Sequence, residues 1–109
     1  MKSFISLFFV LSTLTVLSDH HAKKESFKAM MITGGCCHDY KQQKNIISEG
    51  ISERVPTKWD IFFEMDQEKS KARLSESGWS EQYDYIVYNH CFAHEKDASF
   101  VKSITEVHK

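Results

Sequence analysis

The residues FKAMMITGG at positions 27–35 decide the fold of this chain. A short apolar run bounded by glycine is typical of a buried strand, so residues 27–33 predict a first strand that ends at Gly34-Gly35. Glycine permits a tight turn and a close approach of the backbone to a ligand, which makes the end of this strand a candidate binding position. The segment contains neither a GxGxxG nor a P-loop motif, and a nucleotide-phosphate cradle is therefore not indicated.

A helix is predicted after this strand. Asp39 is a suitable N-cap, and Pro56 ends the pattern. Its apolar positions recur every three to five residues, at Ile46, Ile47, Ile51 and Val55. Residues 58–64 (KWDIFFE) then predict a second strand, and the charged residues 65–78 predict a loop with a helical turn at 68–74.

Residues 83–88 (YDYIVY) predict a third strand, which we expect to be the most central of the three. A last helix is predicted from Ala98, with Val101, Ile104 and Val107 on one face. Strands that alternate with helices predict a parallel sheet with helices on both faces. The fold class is therefore α/β, a flavodoxin-like doubly wound parallel sheet that is truncated after about three strands.

The candidate site lies where the first and third strands end. In the strand order 2-1-3 these two strands are neighbours, and ligands bind at the carboxyl ends of the strands at this switch point. The first strand runs into GGCCHDY at 34–40 and the third into NHCFAH at 89–94. We predict catalytic roles for His38 and Asp39, because histidine titrates near neutrality and a helix N-terminus favours polar ligand groups. The predicted ligand-binding residues are Gly34, Gly35, Asn89, His90 and Cys91.

Structural roles are alternatives for most of these residues. Asp39 could simply cap the helix beside a solvated His38, and Asn89 and His90 could pair with the first loop. The three cysteines could be buried thiols, or Cys91 could form a disulfide with Cys36 or Cys37. No metal site is predicted, because the sequence has no CxxC motif and no helical HxxxH motif. The cofactor, if there is one, is unknown.

The first residues have the pattern of an export signal. Lys2 precedes the apolar residues 4–17, which are too few to span a bilayer but suit a signal-peptide core. We predict a signal peptide at 1–18, a mobile linker at 19–26, and a periplasmic or extracellular location without a stable membrane span after cleavage. The 14 basic and 15 acidic side chains are interspersed, which argues against nucleic-acid binding.

Two segments make the sequence similar to a known family. ITGGCCHDYKQQKNIISEGI at 32–51 and YDYIVYNHCFA at 83–93, with the Lys58-Trp59 strand between them, resemble the ThuA-like (trehalose utilisation) family. The resemblance covers residues 27–109 and implies the N-terminal half of a domain with a class I glutamine amidotransferase-like fold. It also implies a role in carbohydrate utilisation, with a trehalose-type disaccharide or a derived sugar as the small-molecule ligand.

The resemblance leaves the kind of activity open. Members of the family continue into a further strand with a turn that contains His and Cys, so the expectation of an enzyme is uncertain for residues 27–109. The alternatives are a non-catalytic carbohydrate-binding module and an inactive fragment of a truncated gene. The oligomeric state is not indicated by the sequence.

Overall fold

Three parallel strands and three α-helices alternate along the chain in a computed structural model that describes residues 25–108. The predicted signal peptide and most of the predicted linker lie outside the described residues. Among residues 25–108, no helix combines the length and the apolar character that crossing a membrane requires. The elements are β1 (Phe27–Gly35), α1 (Tyr40–Ser52), β2 (Thr57–Phe63), α2 (Gln67–Leu74), β3 (Tyr85–Cys91), α3 (Ala98–Thr105) and a 3-10 turn (Glu106–His108).

The strands form one sheet in the order β2-β1-β3, and both pairings are parallel. The α/β fold class is thus confirmed, and the strand order is consistent with a flavodoxin-like sheet. The expectation that the third strand is the most central was wrong for the described residues. β1 pairs on both sides and is buried from Ala29 to its end, whereas β3 pairs with β1 and is half-buried along its whole length.

Helices cover both faces of the sheet, as predicted. Successive side chains of a strand point to opposite faces, so Met30 and Ile32 face one side and Ala29 and Met31 the other. The first side holds the main core with residues from α2, α3 and the loop between α2 and β3, namely Leu74, Phe100 and Trp79. Helix α1 covers the second side, where Trp59 Nε1 donates a hydrogen bond to Ser52 Oγ at 2.9 Å.

Each α-helix begins at an aspartate whose carboxylate accepts backbone N–H groups. Asp39, Asp66 and Asp97 are the N-caps of α1, α2 and α3. The prediction of a loop with one helical turn at 65–78 was therefore incomplete, because α2 is an eight-residue helix. Its Ser70 and Leu74 are buried, and this spacing of four residues places them on one helical face.

Helix α3 is rotated relative to the face predicted from the sequence. Phe100 is the buried residue, with 4% of its surface exposed, whereas Val101 is 49% exposed. Ile104 and Val107 do pack against the core, together with Phe100. The larger aromatic side chain therefore occupies the core position. In α1, similarly, Ile46 is exposed while Ile47 and Ile51 are half-buried.

Candidate functional site at the carboxyl ends of the central and third strands

Gly34 and Gly35 hold the end of β1 between the backbones of its two neighbours. Both residues are buried and have positive φ angles, of 139° and 103°, which side chains disfavour. A Cβ at position 34 would collide with the carbonyl oxygen of Glu64, and a Cβ at position 35 with that of Cys91. The glycine pair therefore allows the first loop to begin directly beside the last residues of β3.

The third strand continues to Cys91, beyond the predicted end at Tyr88. Asn89, His90 and Cys91 pair with Thr33, Gly34 and Gly35 of β1. Because these three predicted site residues belong to a strand and not to a loop, their side chains alternate between the faces. Asn89 and Cys91 lie on the α1 face, and His90 lies on the opposite face.

A hydrogen-bonded polar group surrounds Asn89 on the α1 face. Its Nδ2 donates to Thr33 Oγ1 and to Gln43 Oε1, both at 3.3 Å. Thr33 is 1% exposed, so the network reaches from the buried sheet to the half-buried first turn of α1. Within residues 25–108 the side-chain oxygen Oδ1 of Asn89 and the side-chain nitrogen Nε2 of Gln43 have no hydrogen-bond partner, so one acceptor and one donor can contact a ligand.

His90 lies among aromatic rings on the other face. Its ring centroid is 6.0 Å from that of Tyr88 and 5.9 Å from that of Phe92. Burial lowers the pKa of His90, which favours the neutral imidazole at neutral pH. Among the described residues, Nδ1 of His90 is a buried polar atom without a hydrogen-bond partner.

The three cysteines meet at the end of the sheet on the α1 face. Cys36 and Cys37, neighbours in sequence, form a disulfide, and Cys91 is a half-buried free thiol. The three sulfur atoms all lie within 4.8 Å of one another. The Cys36 backbone N–H donates to the Cys91 carbonyl at 3.1 Å, which joins the two segments directly. The expectation of buried thiols was wrong for Cys36 and Cys37, which are exposed, and neither is bonded to Cys91.

His38 and Asp39 stand at the start of α1, where the sequence predicts them. Asp39 Oδ1 accepts the Gln42 backbone N–H at 3.1 Å and so caps the helix. The exposed His38 ring packs edge-on against Tyr40, with centroids 5.8 Å apart. In the described part of the chain its imidazole has no hydrogen-bond partner that could orient it as an acid or a base. Burial raises the pKa of the Tyr40 hydroxyl, and the nearby Cys91 side chain adds to the rise.

The loop after β3 is fixed to α2 by an ion-pair network. Lys71 Nζ lies 3.3 Å from Glu95 Oε2 and 3.1 Å from Asp97 Oδ2. Gln67 Nε2 donates to the same Glu95 oxygen at 2.7 Å. Hydrogen bonds from Ser99 and then from Lys71 lower the pKa of the Asp97 carboxyl group. The pKa of the Glu95 carboxyl group is lowered chiefly by the hydrogen bond that it accepts from the Asp97 backbone N–H. This network positions the segment that leads away from Cys91.

Two of the cavities among the described residues show where open space lies, and both are away from this end of the sheet. One, of about 310 Å³, is near the amino ends of the strands and is lined by Ser26, Lys28, Lys58, Trp59, Asp60 and Asp84. The other, of about 410 Å³, lies between the segment after α2 and the C-terminal part of α3 and the 3-10 turn. Neither cavity is lined by a residue of the segments 34–40 and 89–94.

Comparisons with known proteins add no relative. No protein-family model matches the sequence, and neither a curated protein nor a solved structure shows significant similarity to it.

The structure adds Thr33 and Gln43 to the predicted site residues. It also places Asn89 and His90, which the sequence grouped, on opposite faces of the sheet. Gln43 is four residues after the N-cap Asp39, so helical periodicity could have placed it near the same end of the sheet. Thr33 is the last residue before the glycine pair, and strand alternation could have placed it beside Asn89. The separation of His90 from Asn89 follows from the length of β3, which sequence composition alone did not define.

Proposed function

We propose that this chain binds a small polyhydroxylated ligand of the carbohydrate class at the carboxyl ends of β1 and β3. The observation that supports this best is the Asn89 network, which presents an amide carbonyl from the sheet and an amide N–H group from α1 at one place. Small-molecule sites typically place a few polar groups of this kind where separate elements converge. The carbohydrate class, with trehalose as the reference disaccharide, follows from the resemblance to the ThuA-like family.

Binding is better supported than proton transfer. Asp39 already accepts a helix N–H, and His38 has no orienting partner within the described residues. A general base needs to be held within hydrogen-bond distance of the proton that it removes. The predicted catalytic roles of His38 and Asp39 therefore remain proposals, secondary to ligand binding by Asn89 and Gln43.

Export to the periplasm or the extracellular space is part of the same proposal. It is supported by the charged and apolar pattern of residues 1–18, which lie outside the described residues. N-terminal sequencing of the chain recovered from a secreting host tests it. A mature protein that starts at Asp19 is expected, and an N-terminus that retains Met1 or Lys2 would count against export with cleavage.

Thermal stabilisation by a disaccharide tests the binding proposal. A ligand that binds the folded state raises the melting temperature in a concentration-dependent manner. We expect trehalose, titrated against the purified chain, to raise the melting temperature, and Asn89→Ala and Gln43→Ala to abolish the shift. Asn45→Ala is the matched control, because Asn45 is an exposed asparagine of α1 outside the network and should retain the full shift.

Product analysis in the same samples separates binding from catalysis. Stabilisation without release of monosaccharide supports a binding module, whereas turnover that is lost in His38→Ala supports an enzyme. If neither trehalose nor a panel of keto- and amino-disaccharides shifts the melting temperature of the wild type, the carbohydrate proposal is wrong.

A further inference from the structure

We propose that Cys36, Cys37 and Cys91, in the thiol state, form a binding site for one soft monovalent metal cation, with Cu(I) as the test ion. Their sulfur atoms are mutually within 4.8 Å, although Cys91 is 54 positions or more from the other two in the sequence. Soft thiolate sulfur is the donor that Cu(I) prefers in proteins. This inference is independent of the carbohydrate proposal.

The number of donors favours Cu(I) over Zn(II). In residues 25–108 the group of metal-binding side chains with this spacing consists of the three cysteines. Zinc in structural sites is almost always held by four protein ligands. Cu(I), a d¹⁰ ion without a demand for four ligands, is satisfied by three thiolates in a plane. The set therefore matches the cation that accepts three sulfur donors.

The sheet and the first loop hold Cys91 and Cys36 in fixed positions. Cys91 is fixed at the end of β3 by its pairing with Gly35. Cys36 is tied to it by the backbone hydrogen bond of 3.1 Å and by a sulfur contact of 3.6 Å to the Cys91 carbonyl. Cys36 and Cys37 are exposed, which gives a cation direct access from solvent. Helix α1 begins at Tyr40, three residues after Cys37. The dipole at its amino end favours the net negative charge of a copper–thiolate group.

Metal binding requires reduction of the Cys36–Cys37 disulfide. A dithiol reductant supplies two electrons and two protons, becomes a disulfide itself, and leaves two protein thiols. Coordination of one Cu(I) by the three cysteines then releases three protons, because thiolates are the ligands. Reoxidation of Cys36 and Cys37 removes two of the three donors, so the state of this bond controls metal affinity.

The test compares the reduced and the oxidised full chain without oxygen. The chain is treated with a dithiol, freed of the reductant, and titrated with Cu(I) supplied as a complex with a chromogenic chelator. We expect one Cu(I) per chain, with thiolate-to-copper absorption in the near ultraviolet. The chain with the disulfide intact should bind at least about 100-fold more weakly, since even loss of an outer-shell partner costs 10- to 100-fold. Equal affinity in both states would overturn the proposal.

Single substitutions identify the donors. Cys36→Ser, Cys37→Ser and Cys91→Ser should each lower Cu(I) affinity by at least about 100-fold. The first two positions are exposed, so these variants remain informative if Cys91→Ser folds poorly. His94→Ala is the matched control, an exposed residue shortly after β3 that should bind like the wild type.

Two results would reject the three-thiolate site. One is wild-type affinity in the two exposed variants, Cys36→Ser and Cys37→Ser. The other is complete displacement of Cu(I) by an equimolar amount of Zn(II), which would show that the site does not select a soft monovalent cation.

Discussion

At the residue scale, Gly35 is the position whose replacement has the clearest consequence. Gly35→Ala should lower the free energy of unfolding by about 2–5 kcal/mol, because the new Cβ combines a disfavoured positive φ with a collision against the Cys91 carbonyl. Urea denaturation of the two proteins measures the difference directly.

Gly50 provides the matched control for this substitution. It lies inside α1, and a Cβ at this position has nothing within 4 Å. Gly50→Ala should therefore raise the free energy of unfolding by up to about 1 kcal/mol through helix propensity. A Gly35→Ala variant as stable as the wild type would contradict the described backbone at the end of β1.

The glycine pair was also the most informative feature of the sequence. An apolar run that stops at two glycines predicted the first strand, and the structure has it. The glycines were expected to bring the backbone close to a ligand, and what the structure shows is a close approach to the carbonyls of Glu64 and Cys91. One partner in that approach, the carbonyl of Cys91, could not be predicted. It depends on the register between β1 and β3, which is a property of distant residues and not of the local pattern.

At the scale of the helix, α3 gives a direct test of which face is buried. Phe100→Ala should lower the free energy of unfolding by about 3–5 kcal/mol, because it empties a core position between α2 and the sheet. Val101→Ala, at the exposed neighbouring position, should change it by no more than about 0.5 kcal/mol. Urea denaturation of both variants measures this contrast. A larger loss for Val101→Ala would restore the face predicted from the sequence.

The errors at this scale have physical causes. Spacing alone grouped Val101 with Ile104 and Val107, but Phe100 is also four residues before Ile104 and buries more surface. The charged composition of 65–78 concealed α2, whose core contact rests chiefly on Leu74 and whose N-terminal signal is Asp66. A helix with one large buried side chain has almost no apolar periodicity to detect.

At the scale of the whole molecule, Tyr83 links the three strands at their amino ends. Its hydroxyl donates a hydrogen bond to Asp60 of β2, and Lys28 of β1 lies over its ring with Nζ 5.4 Å from the centroid. The Asp84 backbone N–H, next in the chain, donates to the Lys28 carbonyl at 2.7 Å just before β3 begins. The environment of the Tyr83 side chain therefore depends on how the three strands pack at this end of the sheet.

The titration of Tyr83 predicts an alkaline limit to stability. Burial, and then the hydrogen bond to Asp60, raise its pKa to about 12. The unfolded chain has a tyrosine pKa near 10. Because the folded value is the higher one, the stabilisation is complete below pH 10 and is lost as the pH rises from 10 to 12.

Unfolding free energies measured across this range test the assignment. Below pH 10 the wild type should have a higher free energy of unfolding than Tyr83→Phe. This difference should become smaller from pH 10 to pH 12, because only the wild type has a hydroxyl at position 83 that ionises. Asp60→Asn removes the neighbouring carboxylate, which lowers the folded-state pKa of Tyr83 toward 10. The alkaline loss of stability should therefore be smaller in this variant and end at a lower pH. A difference that stays constant up to pH 12 would show that Tyr83 ionises as it does in the unfolded chain.

The close approach at Gly34 and Gly35 has a genetic consequence. Every missense change of a glycine codon introduces a side chain, and every side chain begins with the Cβ that these two positions exclude. Conservative and radical substitutions should therefore both destabilise the fold at these positions. Natural variation at codons 34 and 35 should accordingly be confined to synonymous changes.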